Sequence, residues 1–379
     1  MDTQDDGTRE RGREFATRFV AESVESRDRD SHWDSALFRS MGDEGFLSAC
    51  LPVAEGGEGF GAAAAVDLLR GFGEGAADMG LALAWSMHSF GCLSPLATFG
   101  GKIVRQKFVN GLSQGTIVGA LAHEERFEAS DRLGIRTRAH RSGSRWILEG
   151  TKTCVVNGPI ADVFVVTAVT DPDRGKDGVS AFVVEKTMRG VQVGPSVNSF
   201  GLRTATISDL TLHRCEVSTD HVLGRQGTGL TDIHSSILRA ERAALPAPWV
   251  GAMRRMLDQC ITYVRSAHHF GRALCGSQQM RARIADLRIQ YELCSRLLER
   301  SGWLLEHAES PGAARDLASA RLFMTQSMRR MILEARFFFG VSGHSLVDRL
   351  SRDMAVFEQM GGGPDRLRPV IAGSLLNLG

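Results

Sequence analysis

The run ADVFVVTAVT, Ala161–Thr170, decides how the chain is divided. It is a continuous, mostly β-branched stretch bounded by turn formers, which is the signature of a buried strand. VSAFVVE at Val179–Glu185 repeats it, while RWILE at Arg145–Glu149 and the stretch Ala205–Leu212 alternate apolar and polar residues. RSGS (141–144), NGP (157–159) and DPDRGKDG (171–178) supply the turns between them. Strands this closely spaced, without helices between them, predict an antiparallel barrel or sandwich over residues 117–224.

On both sides the period is helical. Phe15, Phe19 and Val20 share one face, Trp33–Gly45 reads as a helix closed by glycine, and LPVAEGGEGFG (51–61) is too glycine-rich for a regular element. Further helices are predicted from Ala62, over Leu81–Phe99 and over Lys102–Gly111, giving an all-helical unit at 1–116. Beyond Gly227, Met280–Glu306 and Ala313–Phe339 are long amphipathic helices joined by a Ser-Pro-Gly turn, so 225–379 reads as a C-terminal bundle. The fold class is α+β, in the order helical, β, helical.

Composition removes several functions. Lys plus Arg number 45 against 44 Asp plus Glu, so no basic field points to nucleic acid. Seven scattered cysteines without a C-x-x-C pair imply free thiols in a reducing compartment and no metal site. A charged N-terminus and the lack of a long apolar run predict a cytoplasmic protein that does not insert in a membrane.

The chemistry-bearing stretch is LTDIHSSILRAERAALPAPWVG, Leu230–Gly251. At helical spacing Leu230, His234, Ile237, Glu241 and Leu245 share a face, so a carboxylate stands where a core residue is expected. Such a group is either neutralised by an arginine or retained for chemistry. Pro246 and Pro248 predict a kink just after it.

Short motifs run the length of the chain: P-x-x-E-G-G-x-G at 52–59, S-D-x-x-G-I-R-T at 130–137, G-x-K-x-x-x-x-N-G at 150–158, G-L-R at 201–203, L-G-x-x-G-x-G at 223–229, F-G at 270–271, G-x-x-G at 340–343 and D-R-L-x-R-D at 348–353. In this order they resemble the acyl-CoA dehydrogenases, flavoproteins that remove hydrogens from the α and β carbons of an acyl thioester and that assemble as homo-oligomers. The resemblance implies FAD, an acyl thioester of coenzyme A or an acyl carrier protein, an electron acceptor (a flavoprotein or oxygen), and a tetramer or dimer. It places Glu124, Ser130 and Val156 at the flavin, with Phe270, Gln278 and Gly340 reaching the cofactor across a subunit interface. Departures are clear: Glu124 stands where the family has a hydroxyl, and Cys154 and Val156 replace its W-x-T pair. Ala267 replaces the arginine of R-x-x-F-G.

The family's usual base, eight residues after the Asp of the R-D motif, falls here on Gly361. A branch typified by isovaleryl-CoA dehydrogenase instead carries its base in an L-D-L-E-R segment, matched by Leu238-Arg239-Ala240-Glu241-Arg242. The resemblance thus assigns Glu241 as base, with Glu358 as second candidate, and places Ser130, Arg242, Gly361 and Gly362 at the substrate. The altered flavin positions point to a specialised biosynthetic enzyme, as in secondary metabolism. A flavin monooxygenase on the same fold and a cofactor-poor scaffold subunit are the alternatives.

Overall fold

The computed structural model describes residues 5–57, 59–126, 134–269, 271–307, 309–310, 312–340, 344–360 and 363–376. The N-terminal helices are α1 (Asp5–Phe15), α2 (Val24–Asp30), α3 (Ser35–Asp43), α4 (Gly61–Gly75), α5 (Met79–His88), α6 (Ser94–Phe99) and α7 (Lys102–Ser113). Aspartates start two of them: Asp34 accepts from the Leu37 N–H at 2.9 Å and Asp78 from the Leu81 N–H at 3.0 Å. α5 is buried on every side and runs through a π-helical turn, Ser89–Leu93, into α6, so the helix expected over 81–99 is one irregular rod.

The β unit holds β1 (Gly119–Ala122), β2 (Arg138–Ser142), β3 (Arg145–Val156), β4 (Val163–Val169), β5 (Val179–Glu185), β6 (Val191–Val193), β7 (Ile207–Ser218) and β8 (Val222–Leu223). Their order is β6-β7-β3-β2-β4-β5-β8, with β1 on β4. The sheet is largely antiparallel, as expected, with two parallel contacts between strands. β1 lies parallel to β4, and β2 touches β4 in parallel at Arg138 and Val169, so the sheet is mixed. The chain passes from β1 through the β2–β3 hairpin before entering β4, and that longer path brings it back alongside β1 in the same direction.

β4 explains its own sequence. All seven residues are buried, because Phe164, Val166 and Ala168 face the sheet's inner core with Trp146, Leu148 and Phe182. Val163 and Val165 face the other way, onto Leu93, Leu96, Val104, Phe108, Ile233 and Ile237. A strand covered on both faces has no reason to alternate.

The remaining helices are α8 (Ser235–Ala244), α9 (Ala247–Ser266), α10 (Gln278–Glu306), α11 (Ala313–Phe339), α12 (Ser345–Phe357) and α13 (Gly363–Leu375). They share one apolar core with the N-terminal helices, from Phe15 and Phe72 through Trp249 and Met256 to Met331 and Phe357. α4 lies close on α9: a Cβ at Gly73 would lie 1.9 Å from the Pro248 carbonyl oxygen, and one at Gly251 the same distance from that of Arg70. Only glycine permits this backbone approach.

His88 fastens the helical unit to the sheet. The Gly119 N–H donates to its Nδ1 at 3.0 Å, which puts the ring proton on Nε2, donating to the Leu112 carbonyl at 2.9 Å. Asn157, just past β3, donates to the Ala84 and Gly119 carbonyls at 2.9 and 3.2 Å. Among the described residues no helix is long and apolar enough to cross a membrane.

Candidate active site

α8 follows a π-helical turn, Gly229–His234, and ends before Leu245–Pro246, whose backbone stays in the right-handed helical region as α9 restarts, so the kink expected after Glu241 is a two-residue distorted turn. Glu241 is 8% exposed and Arg242 beside it 9%. Among the described residues Glu241 makes no side-chain hydrogen bond and no ion pair within 4 Å. Burial pushes its carboxyl up to about 7; Arg321 opposes this, Glu124 adds to it and Arg242 opposes it. Arg321, on α11, is buried and donates to the Met360 carbonyl at 3.5 Å, while Arg242 donates to the Ala314 carbonyl at 3.5 Å. A buried carboxyl with its proton affinity raised toward neutral pH is equipped to exchange a proton.

The facing wall is the segment after β1. Glu125 accepts from the Lys152 ammonium at 2.6 Å, from the Arg136 and Thr137 N–H groups and from the Thr137 hydroxyl. That buried cluster fixes residues 123–126. Glu124 then turns into the cleft and takes Arg366 of α13 in a two-point pair, 2.9 and 3.1 Å. His123 stacks on His234, ring centroids 3.5 Å apart and planes 19° apart. Burial pushes His234 down to about 4 and His123 well below its ordinary value, so both rings are neutral.

β3 reaches the same cleft through a register shift between Lys152 and Val155. Cys154, at φ 54°, is exposed there, whereas Val156 is buried. The β unit therefore exposes the Cys154 side chain at this register shift, and neither position 124 nor 156 carries a hydroxyl.

The other expected site residues are distributed. Gln278 starts α10 and Gly340 ends α11, both on the outside, where a Cβ on Gly340 would meet nothing within 4 Å. Glu358 lies in a groove lined by Arg329, Leu333 and Met354, 3.5 Å from the Arg329 guanidinium. Ser130, Phe270, Gly361 and Gly362 fall outside the described residues. The sequence reading did not single out Arg366, Arg321, His123 or the Glu125–Lys152 pair. Among the described residues no three metal-ligating side chains gather. A surface cleft of about 690 Å³ lies elsewhere, lined by Asp28, Arg203, Phe200 and Arg352. There Arg352 pairs with Asp28 and Arg203 donates to the Asp28 carbonyl, which makes it a junction of the three units.

Three family models match the chain in succession: acyl-CoA dehydrogenase N-terminal domain at 3–116, middle domain at 120–215 and C-terminal domain at 227–376. An L-prolyl-(peptidyl-carrier protein) dehydrogenase of Pseudomonas fluorescens is 28% identical over 346 residues, 90% of either chain. The mitochondrial isovaleryl-CoA dehydrogenase of Pongo abelii is 27% identical over 96% of this chain and 86% of its own. The solved structure "PigA with FAD and proline" superposes with a TM-score of 0.93 at 26% identity, covering 100% of this chain and 99% of that one.

Proposed function

The chain belongs to the acyl-CoA dehydrogenase family, and on that premise we propose that Glu241 is the base with which it removes the α-proton of an acyl thioester. The protein is an FAD-dependent oxidoreductase acting on CH–CH groups. The observation that carries the assignment of the base is the buried Glu241 carboxyl, raised to about 7 mainly by desolvation. A thioester α-proton is weakly acidic, so its removal needs a base of raised pKa in a dry site. As Glu241 takes the proton its own charge disappears and negative charge grows on the thioester oxygen. Arg321 and Arg242 favour the ionised form of Glu241 and so help keep the base deprotonated and ready to accept the proton.

Bound FAD supplies the acceptor for the β-hydrogen. Main-chain groups of Glu124 and Val156, together with Ser130, would hold it on this subunit, and Phe270, Gln278 and Gly340 of a neighbour would hold its far end. Ser130, Arg242, Gly361 and Gly362 would line the substrate. The outward positions of Gln278 and Gly340 support a homo-oligomer, as do the exposed apolar residues Ile289 and Leu293 on α10 and Leu333 and Phe337 on α11. Likeness to a carrier-protein dehydrogenase supports a carrier-bound thioester and a role in specialised biosynthesis.

Anaerobic mixing of the flavin-loaded protein with acyl thioesters tests the reading. Bleaching of the flavin without oxygen or nicotinamide is expected in the wild type and is expected to slow by about 10³-fold in Glu241→Gln. Reduction only by a nicotinamide, followed by oxygen consumption, would instead identify a monooxygenase.

A further inference from the structure

The segment beside the Glu241 helix is polar, and on the dehydrogenase reading the acyl group would lie against it. Glu124 and Arg366 hold each other through both carboxylate oxygens, yet remain 36% and 39% exposed, so the pair is not sealed in the interior. Its position is fixed by geometry: Glu124 follows His123, whose ring stacks on His234 at the entry to α8, the helix that carries Glu241. The stacked imidazoles complete this wall, and His123 Nδ1 lies 2.9 Å from the Thr167 hydroxyl.

A carboxylate has about four acceptor positions, and Arg366 occupies two. A saturated hydrocarbon pressed against the pair would strip its water and return no hydrogen bond. An N–H or O–H on the acyl group would fill the open positions of Glu124.

We propose that Glu124 and Arg366 are the specificity-determining pair of the acyl site, and that the substrate is an acyl group bearing an amino or hydroxyl group next to the reacting carbons rather than a plain hydrocarbon. This rests on the dehydrogenase reading of the same cleft.

Matched thioesters of N-acetylcysteamine test it on the flavin-loaded oligomer: prolyl against cyclopentanecarbonyl, and 2-hydroxy-3-methylbutyryl against 3-methylbutyryl. Flavin bleaching is expected to favour the polar member of at least one pair by more than about tenfold in kcat/KM. The double variant Glu124→Thr/Arg366→Val removes both charges together. It is expected to lose that preference, read as the ratio of kcat/KM within each pair on the flavin-loaded fraction, whatever its absolute rate. Glu124→Gln/Arg366→Gln, which keeps the shape, is the second variant should the first fail to fold or to hold flavin. A pair that merely ties α13 to the sheet would change stability and leave the preference intact, and that result overturns the proposal, as does equal use of both members by the wild type. Equilibrium binding to Glu241→Gln separates the two readings. Preferential binding of the polar thioester with no bleaching in the wild type would remove the dehydrogenase reading and retain the recognition; equal or absent binding removes the proposal.

Discussion

Lys152 and Glu125 meet at 2.6 Å inside the β unit, with the lysine side chain 0% exposed. Burial pushes the ammonium down to about 8 against the pull of Glu125, which leaves it charged at neutral pH. The pair holds the strand that leads to Cys154 against the loop that carries His123 and Glu124, with Lys152 also donating to the His123 carbonyl at 3.2 Å. Lys152→Met would strand the Glu125 carboxylate in the interior and should cost about 3–5 kcal/mol by denaturant unfolding. Lys152→Met/Glu125→Gln should recover much of that loss.

Glu241 must be ionised to act, so kcat/KM should rise with pH and level off above about 7. The same group acts on stability in the opposite sense. Its folded value lies above its unfolded one, so its stabilising contribution is complete below about 4.5 and disappears as pH rises through about 7. Glu241→Gln should therefore be more stable than the wild type at pH 8, with the gap closing at pH 5. A variant with no bleaching and no such gap would place Glu241 outside the dry site.

Glu358 faces a different groove and its partner Arg329 is largely exposed. Glu358→Gln should leave flavin bleaching unchanged and cost no more than about 0.5 kcal/mol. Loss of turnover in this variant would transfer the base to Glu358.

His88 is locked as the neutral ring by the Gly119 N–H on Nδ1, and burial pushes it down to about 4. Its contribution is fully present above the ordinary histidine value near 6.5 and is lost as pH falls toward 4. His88→Gln should be less stable than the wild type at pH 7.5, and that difference should shrink by about 3 kcal/mol by pH 4. Parallel denaturant curves at the two pH values check this.

Leu333→Glu on α11 places a charge on the exposed apolar stripe. Light scattering should show smaller particles, and the variant should lose FAD together with its neighbour, because half of the proposed cofactor contacts come from that neighbour.

Elements with sharp chemical ends were readable from the sequence. α11 and β5 occupy the stretches expected, Ala313–Phe339 and Val179–Glu185, because a Pro-Gly turn and a run of turn residues mark their starts. β1 was not readable: Gly-Ala-Leu-Ala has no strand propensity of its own and is held by pairing with β4. β3 runs past Glu149 to Val156 because β7 pairs with it across a bulge, while Gly150 and the buried Lys152 break its alternation. Glu241 stood out because a single helix face exposes the anomaly. Arg366 did not, since its meaning depends on Glu124, 242 residues earlier, and an arginine on a terminal helix looks like solvated surface.

The glycine-to-carbonyl contacts between α4 and α9 carry a last consequence. With no side chain between the two backbones, α9 cannot slide or tilt on α4, and the short α8 hangs from its start at Pro246. The base side is therefore stiff and residues 123–126 are pinned by Lys152 and Glu125, which leaves α13 as the wall joined to them by a half-exposed ion pair. Accommodation of a bulkier acyl group, in evolution or in the laboratory, is expected through α13, leaving Glu241 where it is.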